Sequence, residues 1–297
     1  MILINSENSI ISETLKLNQS SPVNRLDKID ISFEDHSGGH FHLYSSKTSS
    51  TGEKVIKLSA KLPAWKEICK EKALMEIIEK DFEGILCEKV DEGFDVTISC
   101  KIDEISDEKI KQFSHLKQKI ISSPLARIIR DIQSDNNSSS NNNNINTASP
   151  FTVTFDNNDF YSVVPGTNKD QIIILFGMNF VDQTDTILAK VFLQEFYDTR
   201  NNRMEDAPVV LYGKEPPKEL SKLAIKSSDS LNYLTLVLFP RHYSTPEAQD
   251  HLLKTVPFLS DYIHYHLKCT KAYLHQRMRA KTGDFLKILN RAKPENF

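Results

Sequence analysis

The sequence is short of almost everything that small-molecule chemistry relies on. It holds 9 glycines in 297 residues, and neither G-x-x-x-x-G-K-[ST] nor G-x-G-x-x-G occurs. No loop is therefore built to fold its backbone N–H groups around a phosphate. The nucleophile elbow G-x-S-x-G and the zinc-protease run H-E-x-x-H are missing too. The four cysteines, Cys69, Cys87, Cys100 and Cys269, show no C-x-x-C pair and no metal-ligand spacing. No basic region precedes the apolar start Met1–Ile4, so reduced thiols in a soluble intracellular protein are expected. The longest apolar run, around Ile172–Phe176, falls far short of the ~20 residues a membrane span needs, and no transmembrane segment is expected.

Histidine offers little more. His264 and His266 stand two apart and point to different sides of a helix, and His275 comes nine residues later with no acidic or thiol residue completing a set. The acidic run Glu104–Glu108 reads as helix-start charge on a solvated surface. The sequence thus predicts no catalytic residue, no cofactor and no metal.

What is present is ordinary in bulk and unusual in arrangement. Hydrophobic content of 39% and charged content of 26% suit a soluble globular chain of one or two domains. Ile29–Phe33 alternates as a half-buried strand does, Gly38-Gly39 supplies a turn, and His40–Tyr44 returns. Val55–Leu62 forms a third strand, and a helix follows from Pro63 to Asp81, stopped by Gly84. Strands at Ile85–Val90 and Phe94–Ile102 flank the turn Asp91-Glu92-Gly93. A helix capped by Asp107 is then kinked or interrupted by Pro124 before Ile128–Ile132. After the Asn/Ser tract, Phe151–Asp156, Phe160–Val164 and Ile172–Phe180 repeat the first three strands, and Thr184–Tyr197 repeats the helix. Val209–Tyr212 and Leu231–Phe239 repeat the last strands.

The predicted class is therefore α/β (α+β): two similar β-β-β-α-β-β-α domains with mostly antiparallel sheets and helices on one face, plus a long C-terminal helix. Residues 1–132 make the first domain and 133–150 an Asn/Ser-rich disordered linker or insertion, which has nothing to bury against its chain entropy. Residues 151–243 make the second domain, and 244–297 the terminal helix.

That helix stands apart. Ser244 or Thr245 caps it, Pro246 suits its first turn, Pro257 predicts a kink, and Pro294 ends it. About 48 residues at ~1.5 Å each give a rod of roughly 70 Å, about twice the diameter of a domain of this size. One apolar stripe comprises Leu252, Val256, Leu259, Ile263, Leu267, Leu274, Met278, Phe285 and Ile288, and is expected to face the chain's own domains. A second, Phe258, Tyr262, Tyr265, Cys269 and Tyr273, runs on roughly the opposite side and is the candidate interface for another subunit. From Lys254 onward nine Lys or Arg stand against Asp261, Asp284 and Glu295, a balance of +6, so the overall −3 leaves −9 on the rest. A basic rod on an acidic body suits an acidic or phosphate-bearing partner. Arg277, Arg279, Lys281, Lys287, Arg291 and Lys293 are the candidate contacts. The rival reading is a nucleic-acid- or anionic-lipid-binding adaptor using the same cations. Against nucleic acid, the cations are spread around the helix rather than lined up.

Tyr262–Pro294, Leu234-Thr-Leu-Val-Leu-Phe-Pro-Arg-His242, Val191-Phe-Leu-Gln-Glu-Phe196 and Lys214-Glu-Pro-Pro217 closely resemble the family of subunit 2, the 34 kDa subunit, of the actin-related protein 2/3 complex. The resemblance is strong in the second half and looser in the first, where Met1-Ile-Leu and Ile11-x-Glu13-Thr-Leu15 fit. It implies a non-enzymatic scaffold with two similar α/β domains that pairs with subunit 4 in a seven-subunit assembly. It also implies contact with the side of an actin filament during branching, hence a cytoplasmic place in the actin cytoskeleton, at the cell cortex and in projections. On that reading the second stripe packs on subunit 4 and the cations face acidic actin. The Asn/Ser tract departs from the family as an insertion, and the sequence stops soon after Pro294, where relatives continue.

Overall fold

A computed structural model describes residues 5–19, 29–35, 38–47, 53–137, 149–155, 159–166, 170–180, 182–204, 206–215 and 231–291. Most of the Asn/Ser tract, Lys293 and Pro294 lie outside these residues.

The first half opens with α1 (Ser9–Gln19), where the Asn8 side chain accepts the Ile11 N–H at 3.2 Å and caps the first turn. β1 (Asp30–Glu34), β2 (His40–Lys47), β3 (Lys54–Lys61) and β4 (Val96–Lys101) form a four-stranded antiparallel sheet in that order. The β1–β2 hairpin turns at Gly38, whose φ of 79° is open to glycine at no steric cost. The helix expected over Pro63–Asp81 is two, α2 (Trp65–Ile68) and α3 (Lys72–Asp81), because Glu71 adopts an extended backbone between them. The strand expected at Ile85–Val90 shrinks to an isolated antiparallel bridge, Leu86 to Ile98. The cause is Asp91: it leaves the sheet edge and reaches across the outer face. There it accepts the Tyr44 hydroxyl at 2.7 Å and the Ser59 hydroxyl, while its N–H donates to Thr97 Oγ1 at 3.1 Å.

α4 (Asp107–Ser114) is capped by Ser106 rather than Asp107: the Ser106 Oγ accepts the Lys109 N–H at 3.3 Å. Of the kink or interruption expected at Pro124, the interruption falls instead at His115, and α5 (Leu116–Asn137) passes through Pro124 and takes in the first five residues of the tract expected to be a linker. Proline deprives the carbonyl four residues back of its donor. Here that carbonyl belongs to Ile120, and the Ser123 hydroxyl donates to it at 2.8 Å. α5 is the spine of the molecule. Its Leu116, Ile120, Ile121, Leu125, Ile128, Ile129 and Ile132 are all buried, in one core that takes in residues of both halves. Arg127 bridges the two halves, donating to Glu71 of the first at 3.1 Å and to the Ser149 carbonyl, just before β5, at 2.5 Å.

The second half repeats the order with one more strand. β5 (Phe151–Thr154), β6 (Phe160–Pro165), β7 (Ile172–Asn179), β9 (Leu231–Leu238) and β8 (Val209–Gly213) stand side by side, all antiparallel. β9 therefore corresponds to β4, and β8 to the bridge at Leu86. The sheets differ in their faces. β3 keeps Lys54 and Lys61 exposed and Lys57 half-exposed, whereas β7 is buried at every position from Ile172 to Met178. Phe160, Ile173, Leu175, Leu231 and Tyr233 form a second buried cluster on the face opposite Ile172, Ile174 and Phe176. α6 (Gln183–Arg203) crosses between β7 and β8, and α7 (Pro246–Thr255) leads into α8 (Leu259–Arg291).

Candidate interaction helix

The terminal helix begins where its sequence says it should. Thr245 Oγ1 accepts the Ala248 N–H at 3.2 Å, Pro246 takes the first turn, and Glu247 sits at its positive end. At Pro257 the chain tightens into a single 3-10 turn, Val256–Phe258, before α8 starts. The carbonyl freed by this proline is that of Leu253, and Gln118 on α5 donates its side-chain amide to it at 3.1 Å. Both prolines in long helices are thus served by a neighbouring side chain.

The inner part of α8 is held to the chain by apolar, aromatic and charged contacts. Ile263 and Leu267 are 0% and 4% exposed. His264 Nε2 lies 2.8 Å from Asp159, whose other oxygen accepts the Asn179 N–H at 2.7 Å, and Phe180 tilts against the imidazole. Phe192 of α6 stacks on His266 at 6.1 Å. Lys271 reaches Asp182 and Asp185, the latter at 3.0 Å, at the N-terminus of α6. This pairing raises the Lys271 ammonium and, with the Thr184 N–H, lowers the Asp182 carboxyl.

Past Lys271 the same helix has lost its support. No residue after Leu267 belongs to the buried core. Leu274 is half-buried, while Met278, Phe285 and Ile288 are 63%, 60% and 63% exposed, with Leu286 and Leu289 exposed beside them. The first stripe was expected to face its own domains throughout. It does so only to Leu267, because α8 runs past the start of α6, the element it lies on. From Ala272 to Arg291, at ~1.5 Å per residue, roughly 30 Å of helix stands clear.

The second stripe divides the other way. Phe258 is mostly buried in the chain's own core, with the Lys117 ammonium 5.7 Å from its ring centre, and its remaining surface lines a cavity that Tyr265 also reaches. Tyr262 is half-buried edge-on to His266 at 4.2 Å. Tyr265 is half-buried and, with Phe33, Phe41 and Phe113, lines a cavity of about 490 Å³. Cys269 and Tyr273 are exposed.

Of the candidate cations, Arg277, Arg279, Lys281, Lys287 and Arg291 are all exposed, and none forms an ion pair among the described residues. Arg277 lies over the Tyr273 ring at 5.8 Å. At ~100° per residue, Arg277, Lys287 and Arg291 share one flank, Arg279 sits on the other, and Lys281 falls inside the first apolar stripe. Lys293 lies outside the described residues. No group of three or more His, Cys, Asp or Glu able to hold a metal occurs among the described residues, and none of their helices is long and apolar enough to cross a membrane.

Residues 58–296 match the family model described as Arp2/3 complex, 34 kD subunit p34-Arc. The protein named actin-related protein 2/3 complex subunit 2 in Schizosaccharomyces pombe is 31% identical over 202 residues, covering 65% of this chain and 63% of its own. Its namesake in Dictyostelium discoideum is 27% identical over 301 residues, covering 99% and 94%.

Proposed function

The chain belongs to the Arp2/3 complex 34 kD subunit family, whose members are structural and non-catalytic, and we propose that its terminal helix joins subunit 4 of that complex and meets the side of an actin filament. Family membership associates the chain with the actin cytoskeleton. A place at the cell cortex and in projections follows from the proposed branching role.

One observation carries the proposal: the apolar stripe that the core buries up to Leu267 continues outward on Leu274, Met278, Phe285 and Ile288. Burying each such side chain fully contributes about 1.5–3 kcal/mol, so a second helix laid along them gains a large association energy. The cations flank the stripe instead of interrupting it, with the exception of Lys281. Arg277, Lys287 and Arg291 thus stay available on one side for an acidic filament while the stripe is occupied.

Gentle purification of the full-length chain from its native source tests this. Recovery in one particle with two actin-related proteins and a smaller subunit is the expected result, and a lone monomer overturns the reading. Within that particle, neutralising Arg277 together with Arg291 is expected to weaken filament cosedimentation in a salt-sensitive way. Unchanged cosedimentation by an intact complex removes them from the contact.

A further inference from the structure

The apolar stripe has two gaps, and both are lysines. Leu267, Lys271, Leu274, Met278, Lys281, Phe285 and Ile288 follow one another at intervals of four and three residues without a break. This is the spacing of a coiled-coil seam, in which every member faces the partner helix. Lys271 and Lys281 therefore occupy seam positions, not solvent positions.

What a lysine in this seam requires is already visible once within the chain. At Lys271 the facing helix is α6, and it presents two carboxylates, Asp182 and Asp185, to the one ammonium. Apolar neighbours close the pairing on both sides, Leu267 buried and Leu274 half-buried. Ten residues on, Lys281 stands between Met278 and Phe285 in the same relation, with no carboxylate opposite it among the described residues. Arg277, one turn earlier, adds a like charge that sharpens the demand for an anion.

Building on the docking proposed above, we propose that Lys281 sets the specificity of the helix pairing. The partner is an amphipathic helix whose apolar seam is broken by an aspartate or glutamate that enters between Met278 and Phe285. The same lysine prevents two copies of this chain from pairing by their stripes. In any register of such a pair an ammonium is buried against apolar side chains without an anion, which is strongly unfavourable. Lys281 accordingly leaves the set of filament-facing cations, and Arg277, Lys287 and Arg291 keep that role.

The test uses the full-length chain with subunit 4, measuring affinity by titration and the state of the chain alone by sedimentation. Lys281→Arg is expected to bind within about threefold of the natural chain. Lys281→Glu and Lys281→Met are each expected to lose at least ~30-fold, because they leave the facing carboxylate repelled or unpaired. Lys281→Met is also expected to self-associate when alone, its uncovered seam from Leu274 to Ile288 being apolar throughout. Full affinity of Lys281→Met, with or without weakening by Lys281→Glu, overturns the proposal. Phe285→Asp separates the two readings. If it abolishes binding while the Lys281 variants bind normally, only the lysine's role falls. If it too binds normally, the docking of subunit 4 on this stripe falls with it. Unchanged thermal unfolding of each variant confirms that the fold is intact.

Discussion

The inner and outer parts of α8 carry the same pattern and do opposite things with it. From Leu259 to Lys271 each apolar seam residue meets the core or packs against it, and the chain supplies polar partners: Asp159 for His264, Asp182 and Asp185 for Lys271. From Ala272 to Arg291 the seam and the charges continue, and neither is answered by the described chain. Periodicity fixes which face of a helix is apolar. It does not fix how far the surface beneath that face extends, and here that surface stops at the first turn of α6. The outer part is therefore uncovered among the described residues, as the proposed docking of another subunit requires.

The sharpest way to break this comparison is to remove a methyl-rich side chain from each part. Leu267→Ala opens a cavity in the shared core and is expected to destabilise the isolated chain by about 2–5 kcal/mol in urea unfolding. Met278→Ala, on the same stripe, is expected to change it by no more than about 0.5 kcal/mol. Equal losses at the two sites would mean that the outer stripe is covered by the chain itself, and the interface reading would fail. Removing Ile263, which is fully buried, should behave as Leu267 does.

This division explains what was legible and what was not. Local signals are legible: the cap at Thr245 and the glycine turns at Gly38 and Gly93 depend on one or a few residues acting on their own backbone, whereas Pro257, expected only to kink one continuous helix, separates α7 from α8 by a 3-10 turn. The sequence misleads where a side-chain contact, near or distant, decides the outcome. Pro124 does not interrupt α5 because Ser123 serves the orphaned carbonyl. Ile85–Val90 does not extend as a strand because Asp91 is drawn onto Tyr44 and Ser59. Phe258 is mostly buried, where an open second stripe was expected, because the 3-10 turn at Pro257 brings it into the core beside Lys117. The seam lysines are legible through their four-three spacing with Leu267, Leu274, Met278, Phe285 and Ile288, which a count of charge alone passes over. That spacing was available from the residues alone.

A smaller effect sharpens the electrostatic side of the comparison. Lys271→Ala leaves Asp182 and Asp185 facing each other at the start of α6, and a modest, salt-sensitive loss of stability is expected; Lys287→Ala, with no partner among the described residues, is expected to show none. The pH dependence has a definite sign. The Asp182 carboxyl is held below its ordinary value by Lys271 and the Thr184 N–H, so its contribution is complete above the unfolded-state value of about 3.9. It is lost as pH falls through the lower folded-state value. Asp182→Asn should flatten that acid limb in a stability–pH profile, and an unchanged limb would mean that the ion pair does not form in solution.

The smallest expected effect tests the outer helix alone. Gly283 sits in the middle of α8, and an added Cβ there meets nothing within 4 Å. Mid-helix glycine costs about 0.8–1 kcal/mol relative to alanine, and a stretch without tertiary support has little to offset it. At ~100° per residue Gly283 lies nearly opposite Leu274, away from the seam. Gly283→Ala should therefore raise the helicity of the isolated chain by circular dichroism and reduce amide exchange around Thr282, while leaving both urea unfolding of the core and affinity for subunit 4 unchanged. If the substitution instead weakened the pairing, the partner would have to approach the face opposite Leu274. The seam from Leu274 to Ile288 would then not be where subunit 4 binds.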